Sequence, residues 1–95
     1  MAQQSTVYQF NSIANITQAE QILSDFRELL VLGQSVELDA SQIERIDTSV
    51  MQLIVSLKKS LTEKQLALSC TKASSAFQVA LSTMGLDQYL EFNLT

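Results

Sequence analysis

The strongest constraint on the fold is a strand pattern that runs almost directly into a helix pattern within residues 35–63. Val36, Leu38 and Ala40 alternate with acidic side chains, which is the period of a strand with one covered face. From about Thr48 to Glu63 the apolar residues instead recur every three or four positions, which predicts a helix with one apolar face. The side chains on that face are Val50, Leu53, Ile54, Leu57 and Leu61.

Capping signals predict where an earlier helix begins and ends. Thr17 and Glu20 have the spacing of a capping box, in which each side chain can bond the backbone N–H at the other position. Apolar residues then recur at helical spacing until Gly33, which can adopt the left-handed conformation that ends helices. We therefore predict a helix over residues 18–32.

The remaining segments predict further strands and one more helix. Residues 7–10 are rich in strand-forming side chains, and residues 12–16 are compatible with a second short strand. Residues 66–71 alternate in the same way as residues 35–41. A second capping box spans residues 75–78, and Gly85 is positioned to end the helix that follows.

The order of these elements predicts an α/β fold in a single domain spanning residues 1–95. Strands separated by helices of this length are joined by crossovers, which place the helices against the sheet. We expect a small mixed β-sheet of four to five strands with helices packed against it. A chain of 95 residues is long enough for one such core.

Composition excludes several classes of function. The net charge is −4 with only six Lys and Arg residues, which argues against binding to nucleic acid. Histidine is absent and Cys70 is the single cysteine, so we expect no metal site, no cofactor and no enzymatic activity. No apolar run is long enough to insert into a membrane, and we expect a cytoplasmic protein.

The junction between the predicted strand and the second helix carries the candidate site. Asp47 is placed to cap the helix, because its carboxylate can accept a backbone N–H two or three residues later. Ser49 shares a helix face with Gln52, Ser56 and Lys59, which predicts a polar ridge directed away from the core. A serine at a helix N-terminus is well placed to carry phosphate, since the N–H groups and the helix dipole tolerate an anion there.

The order of motifs resembles that of the STAS domains, which include the bacterial anti-anti-sigma factors. The resemblance rests on VELDASQIERIDTSVMQLIVSLKKSL at residues 36–61, the LALSCT strand and STMGLDQYL at residues 82–90. It implies a four- to five-stranded mixed sheet, no catalysis, and a partner protein such as a serine kinase of the anti-sigma type. It further implies phosphorylation of the hydroxyl two residues after the motif aspartate, which is Ser49 here.

The resemblance also implies a partner-binding surface around the junction. The residues expected to form it are Asp47, Thr48, Ser49, Val50, Gln52 and Ser56. Val50 occupies the position at which the family has a glycine. An alternative is a constitutive adaptor subunit of a membrane-transport ATPase complex of the lipid-transport type, for which Thr48 would be a docking residue. A third class, binding of a small ligand by the domain, lacks a phosphate loop in this sequence.

Four other residues allow two interpretations each. Met51 and Val55 widen the apolar face of the second helix, and either a partner or a neighbouring helix could cover them. Cys70 is better explained as a small buried hydrophobe than as a redox sensor. Asp39 resembles a family position, yet an acid at the end of a strand can simply cap a turn.

Overall fold

The computed structural model describes residues 5–92 and contains the predicted succession of strands and helices. The elements are β1 (Ser5–Gln9), β2 (Ile13–Ala14), α1 (Ile16–Leu32), β3 (Ser35–Ala40), β4 (Arg45–Ile46), α2 (Thr48–Glu63), β5 (Leu68–Ala73), α3 (Ser75–Thr83) and α4 (Asp87–Leu90). The bounds of α2 agree with the prediction. The short strand β4 and the short helix α4 were not predicted.

The strands form two parallel ladders. β3 lies between β1 and β5 in a three-stranded sheet, while β2 pairs with β4. The expected mixture of strand directions is therefore not found among the described residues. The reason is the connectivity, because α1 and α2 each return the chain to the same end of the sheet before the next strand begins. The five strands agree with the expected number, and the α/β fold class is confirmed.

The core lies between the sheet and the helices α1 and α2. Val36, Leu38 and Ala40 of β3 are at most 1% exposed and belong to one apolar cluster with residues of both helices. α1 and α2 also contact each other. Tyr8, Phe10 and Phe26 meet edge to face, with ring centroids 5.1 to 6.3 Å apart, which fixes β1 against α1.

The predicted capping boxes lie close to the true caps but are shifted. Asn15 caps α1, because its Oδ1 accepts the Thr17 N–H at 3.1 Å and the Thr17 hydroxyl at 2.6 Å. Thr17 is thus a donor to the cap, since the helix begins at Ile16 and the Asn15 side chain already occupies the capping position. Ser74 caps α3 by accepting the Phe77 N–H, one residue before the predicted position. The left-handed end of α1 at Gly33 is confirmed.

Burial decides two of the open alternatives. Met51 has no exposed surface, so the partner-surface interpretation is wrong for this residue, while Val55 is half-buried. Cys70 is also fully buried, and burial raises the pKa of its thiol to about 11. A thiol that holds its proton so firmly is a poor nucleophile, which confirms Cys70 as a core residue.

A lysine fixes the short C-terminal helix against α2. Lys58 Nζ donates to the carbonyl oxygens of Tyr89 at 2.8 Å and Leu90 at 3.1 Å, and lies 5.4 Å from the centre of the Tyr89 ring. A cation at a helix C-terminus satisfies carbonyl groups that have no partner within the helix. The side chain of Leu90 is buried beneath this contact.

Candidate functional site

The site lies where β4 ends and α2 begins. β4 pairs with β2, and the backbone N–H of Asp47 extends this ladder by donating to the Ala14 oxygen at 3.2 Å. Asp47 has an extended backbone, with φ −117° and ψ 177°, and the next residue is already helical. The junction is therefore at the carboxyl end of a parallel strand, where open α/β sheets commonly place functional residues.

The carboxylate of Asp47 is held by both of its oxygens. Oδ1 accepts the Ser49 hydroxyl at 2.6 Å and the Val50 N–H at 3.4 Å, which confirms Asp47 as the N-cap of α2. Oδ2 accepts the Ile16 N–H of α1 at 2.8 Å. These donors, the Ser49 hydroxyl first, lower the pKa of Asp47 against a smaller opposing effect of burial. Asp47 is therefore a well-held anion between two helices.

The first turn of α2 directs its two hydroxyl residues to different sides. Successive helix residues point about 100° apart. Ser49 is half-buried with its hydroxyl on Asp47, whereas Thr48 is exposed and lines a cleft towards α3. Gln52 and Ser56 are exposed farther along α2, as the predicted polar ridge requires. These four residues remain candidates for the partner surface.

Val50 does not belong to that surface. Its side chain is 0% exposed and packs in the core, although we expected it among the partner-binding residues. The reason is the helical period, because Val50 lies one turn before Ile54 and begins the buried face of α2. A partner bound to the outside of the helix would not contact its side chain.

The cleft beside Thr48 has a volume of about 760 Å³ and opens between the β4–α2 junction and α3. Ile46, Ala76 and Met84 provide apolar side chains within it, and Val79 of α3 is 63% exposed at its edge. Glu44 and Arg45 line the same cleft and carry opposite charges. The exposed Thr48 thus lies next to an apolar surface that a partner could cover.

Three residues near the site escaped the sequence prediction. Asn15 was hidden because the nearby Thr17 and Glu20 offered a more familiar cap. Ile16, which is 69% exposed, was assigned to a strand, and nothing in the sequence pattern brings it to Asp47. Val79 belongs to α3, and only the tertiary fold places it across the cleft from Thr48.

Within residues 5–92, no group of three or more His, Cys, Asp and Glu side chains is arranged to hold a metal ion. Over the same range every buried side-chain nitrogen and oxygen has a hydrogen-bond partner. Asp39 accepts the backbone N–H and hydroxyl of Ser41, so this acid closes a local turn.

No helix within residues 5–92 has both the length and the apolar character needed to cross a membrane.

Comparison with known proteins gives a matching family and similar solved structures. The sequence model of the family described as Mlab, STAS domain matches residues 9–94. The crystal structure of TM1081 from Thermotoga maritima, provisionally described as an anti-sigma factor antagonist, matches with a TM-score of 0.80 at 22% identity. That match covers 95% of this chain and 77% of the other. No curated protein sequence matches significantly.

The NMR structure of TM1081 gives a similar result. Its TM-score is 0.78 at 22% identity, and the match covers 96% of this chain and 73% of the other. At this level of identity the similarity establishes a shared fold. It agrees with the arrangement of strands and helices expected from the sequence.

Proposed function

The chain belongs to the STAS domain family, and from this membership we propose that it is a non-catalytic regulatory domain that binds a partner protein in the cytoplasm. The partner binds the docking surface, which we define as Asp47, Thr48, Ser49, Gln52 and Ser56. The partner class is a serine kinase or a related regulator of the anti-sigma type. The clustering of these residues on the first turns of one helix supports a single contact surface.

The observation that carries the regulatory part of the proposal is the contact between Ser49 and Asp47. The 2.6 Å hydrogen bond holds the Ser49 hydroxyl in one orientation at the N-terminus of α2. A partner kinase transfers the terminal phosphoryl group of ATP to the Ser49 Oγ, ADP leaves, and the hydroxyl proton passes to solvent. The phosphate adds about −1.5 to −2 charge to the docking surface and weakens binding of the partner.

Mass analysis tests this proposal directly. The intact protein is isolated from its native cells as wild type, Ser49→Ala and Ser41→Ala, and the mass of one added phosphate is measured. We expect the phosphate on wild type and on Ser41→Ala, and its loss from Ser49→Ala. Ser41 is the matched control because it is an exposed hydroxyl two residues after another aspartate. A phosphate retained in Ser49→Ala, or absent from all three proteins across growth conditions, contradicts the switch.

A second candidate is a constitutive adaptor on the ATPase of a lipid-transporting membrane complex. It is favoured by the exposure of Thr48 and its position on the apolar cleft, because this residue is more accessible than Ser49. In this case Thr48 is the docking residue and Ser49 only supports the helix.

Two substitutions distinguish the candidates. Tagged wild type, Ser49→Asp and Thr48→Arg are recovered from native cells, and the co-purifying proteins are identified by mass spectrometry. The switch predicts that Ser49→Asp loses the partner, because the new charge mimics the phosphate. The adaptor predicts that Thr48→Arg loses an ATPase subunit while Ser49→Asp retains it. An intact partner complex in both variants contradicts both functions.

A further inference from the structure

One carboxylate completes the caps of two helices that lie far apart in sequence. In the first turn of α1, Asn15 accepts the N–H groups of Thr17 through its side chain and of Gln18 through its backbone oxygen. The Ile16 N–H is satisfied by Asp47 Oδ2, 31 positions away in the sequence. An N–H in the first turn has no acceptor within its own helix, so this contact supplies what α1 lacks.

We infer that Asp47 is a positioning residue that couples the state of the Ser49 hydroxyl to the first turn of α1. Its two oxygens divide the contacts, with Ser49 on Oδ1 and Ile16 on Oδ2. The carboxylate is a rigid planar group, so any rotation that moves one oxygen also moves the other. A change at Ser49 is thereby transmitted to the amide of Ile16.

A phosphate on Ser49 has a specific effect in this arrangement. The hydroxyl donates its hydrogen to Asp47, whereas a phosphate ester at the same position is an anion that offers acceptor oxygens. Two anions cannot keep a 2.6 Å contact between oxygens, so the carboxylate turns away. Oδ2 then leaves the Ile16 N–H. The regulatory use of this coupling rests on the proposed phosphorylation, while the coupling itself rests on the contacts.

The coupling extends the regulated surface beyond α2. The Ile16 side chain is 69% exposed, and its backbone is joined to the same carboxylate as Ser49. Release of the Ile16 amide loosens the turn that presents this apolar side chain. Modification of Ser49 therefore alters both the charge of the docking surface and the position of an apolar group beside it.

The Ile16 amide proton is a direct reporter of the coupling. Its chemical shift in NMR spectra follows the charge of the carboxylate that accepts it, and its exchange with solvent follows the strength of that bond. Glu44 and Arg45 are the other charged residues that line the cleft with Asp47, and both remain unchanged in every variant used. The proteins compared are wild type, Ser49→Ala, Ser49→Asp and the matched control Ser41→Ala.

The expected results differ for each variant. In Ser49→Ala the pH midpoint of the Ile16 shift rises towards the ordinary aspartate value, because the hydroxyl that most lowers the pKa of Asp47 is gone. In Ser49→Asp the Ile16 amide exchanges about tenfold faster, the loss expected for one hydrogen bond to a charged group. Ser41→Ala leaves both quantities as in wild type, since Ser41 contacts Asp39 instead.

The outcomes separate this inference from the proposed function. If the Ile16 amide behaves as in wild type in folded Ser49→Ala and Ser49→Asp proteins, the coupling is refuted, even where mass analysis finds phosphate on Ser49. If the Ile16 amide responds but no phosphate is found in cells, the coupling stands and the phosphorylation switch is refuted. Should Ser49→Asp fail to fold, the pH midpoint in Ser49→Ala alone decides.

Discussion

Within residues 5–92, a serine donates its hydroxyl to the aspartate two residues earlier in two turns, one after β3 and one after β4. In both, the distance between the serine Oγ and the aspartate Oδ1 is 2.6 Å. In both, this bond is the largest cause of a lowered aspartate pKa. Asp39 and Asp47 therefore each accept a serine hydroxyl in the same way, at the ends of two strands that are consecutive in the sequence.

The two turns differ in the further hydrogen bonds that each aspartate accepts, besides the one from its serine hydroxyl. Asp39 also accepts the backbone N–H of Ser41 at 3.0 Å, so both of these contacts stay within one exposed turn. Asp47 instead caps α2 and reaches the Ile16 N–H of α1. The comparison teaches that a short sequence motif acquires a structural role from the elements it joins. Of the two carboxylates, that of Asp47 is the one that hydrogen-bonds the backbone of a second helix.

The largest difference between the two turns is expected in the stability lost when the residue after each serine is replaced by glycine. Val50 is fully buried, whereas Gln42 is exposed. Val50→Gly introduces the glycine typical of the family, but it leaves a cavity and weakens α2. We expect a loss of about 3 kcal/mol in the free energy of unfolding. Urea unfolding measures it, with Gln42→Gly as control at about 0.5 kcal/mol or less. An equally small effect at both positions would mean that the buried side chain of Val50 contributes little to the stability of the fold.

The second test removes the aspartates themselves. Asp47→Ala deprives two helices of an acceptor, and we expect it to lower the free energy of unfolding by about 2 kcal/mol. Asp39→Ala opens one surface turn, with an expected cost of about 0.5 kcal/mol. Chemical denaturation of both variants at neutral pH provides the measurement. Equal losses would show that the contact with Ile16 contributes nothing to stability.

The helix α2 and the capping role of Asp47 could be predicted from the sequence, but the short strand before them could not. Helical periodicity located α2 with the observed bounds, because its apolar face repeats over sixteen residues. Asp47 was predicted as a cap from residue type and position alone. β4 was missed because a strand of two residues, Arg45–Ile46, is too short to show alternation.

The tertiary contacts of the site had no signal in the sequence. Capping rules describe hydrogen bonds within a few residues, so they predict the contact of Asp47 with Val50. They say nothing of Ile16, which approaches only because β2 and β4 pair and bring the starts of α1 and α2 together. Val50 was misplaced for a different reason, because the helical period of the sequence had already put it on the apolar face of α2. Its family position suggested a partner contact, while its helical phase directs it inward.

The smallest expected effect is that of the serine hydroxyls on stability, and it depends on pH. Ser49→Ala removes the bond that most lowers the pKa of Asp47, and we expect a cost of about 1 kcal/mol at pH 7. Ser41→Ala removes the equivalent bond to Asp39 in an exposed turn, with an expected cost of about 0.5 kcal/mol. The free energy of unfolding is measured between pH 7 and pH 2.

The sign of the pH dependence follows from the direction of the pKa shifts. A carboxyl with a lowered pKa in the folded protein stabilises it fully above the unfolded pKa of about 3.9, and loses this effect as pH falls through the folded value. The wild type should therefore approach each alanine variant in stability as the pH drops below about 4. Both serines share this direction, but the larger change belongs to Ser49, whose acceptor is also engaged by α1. Equal changes in the free energy of unfolding for Ser49→Ala and Ser41→Ala would mean that the local serine–aspartate bond alone determines the effect. The contact of Asp47 with α1 would then have no measurable influence on stability.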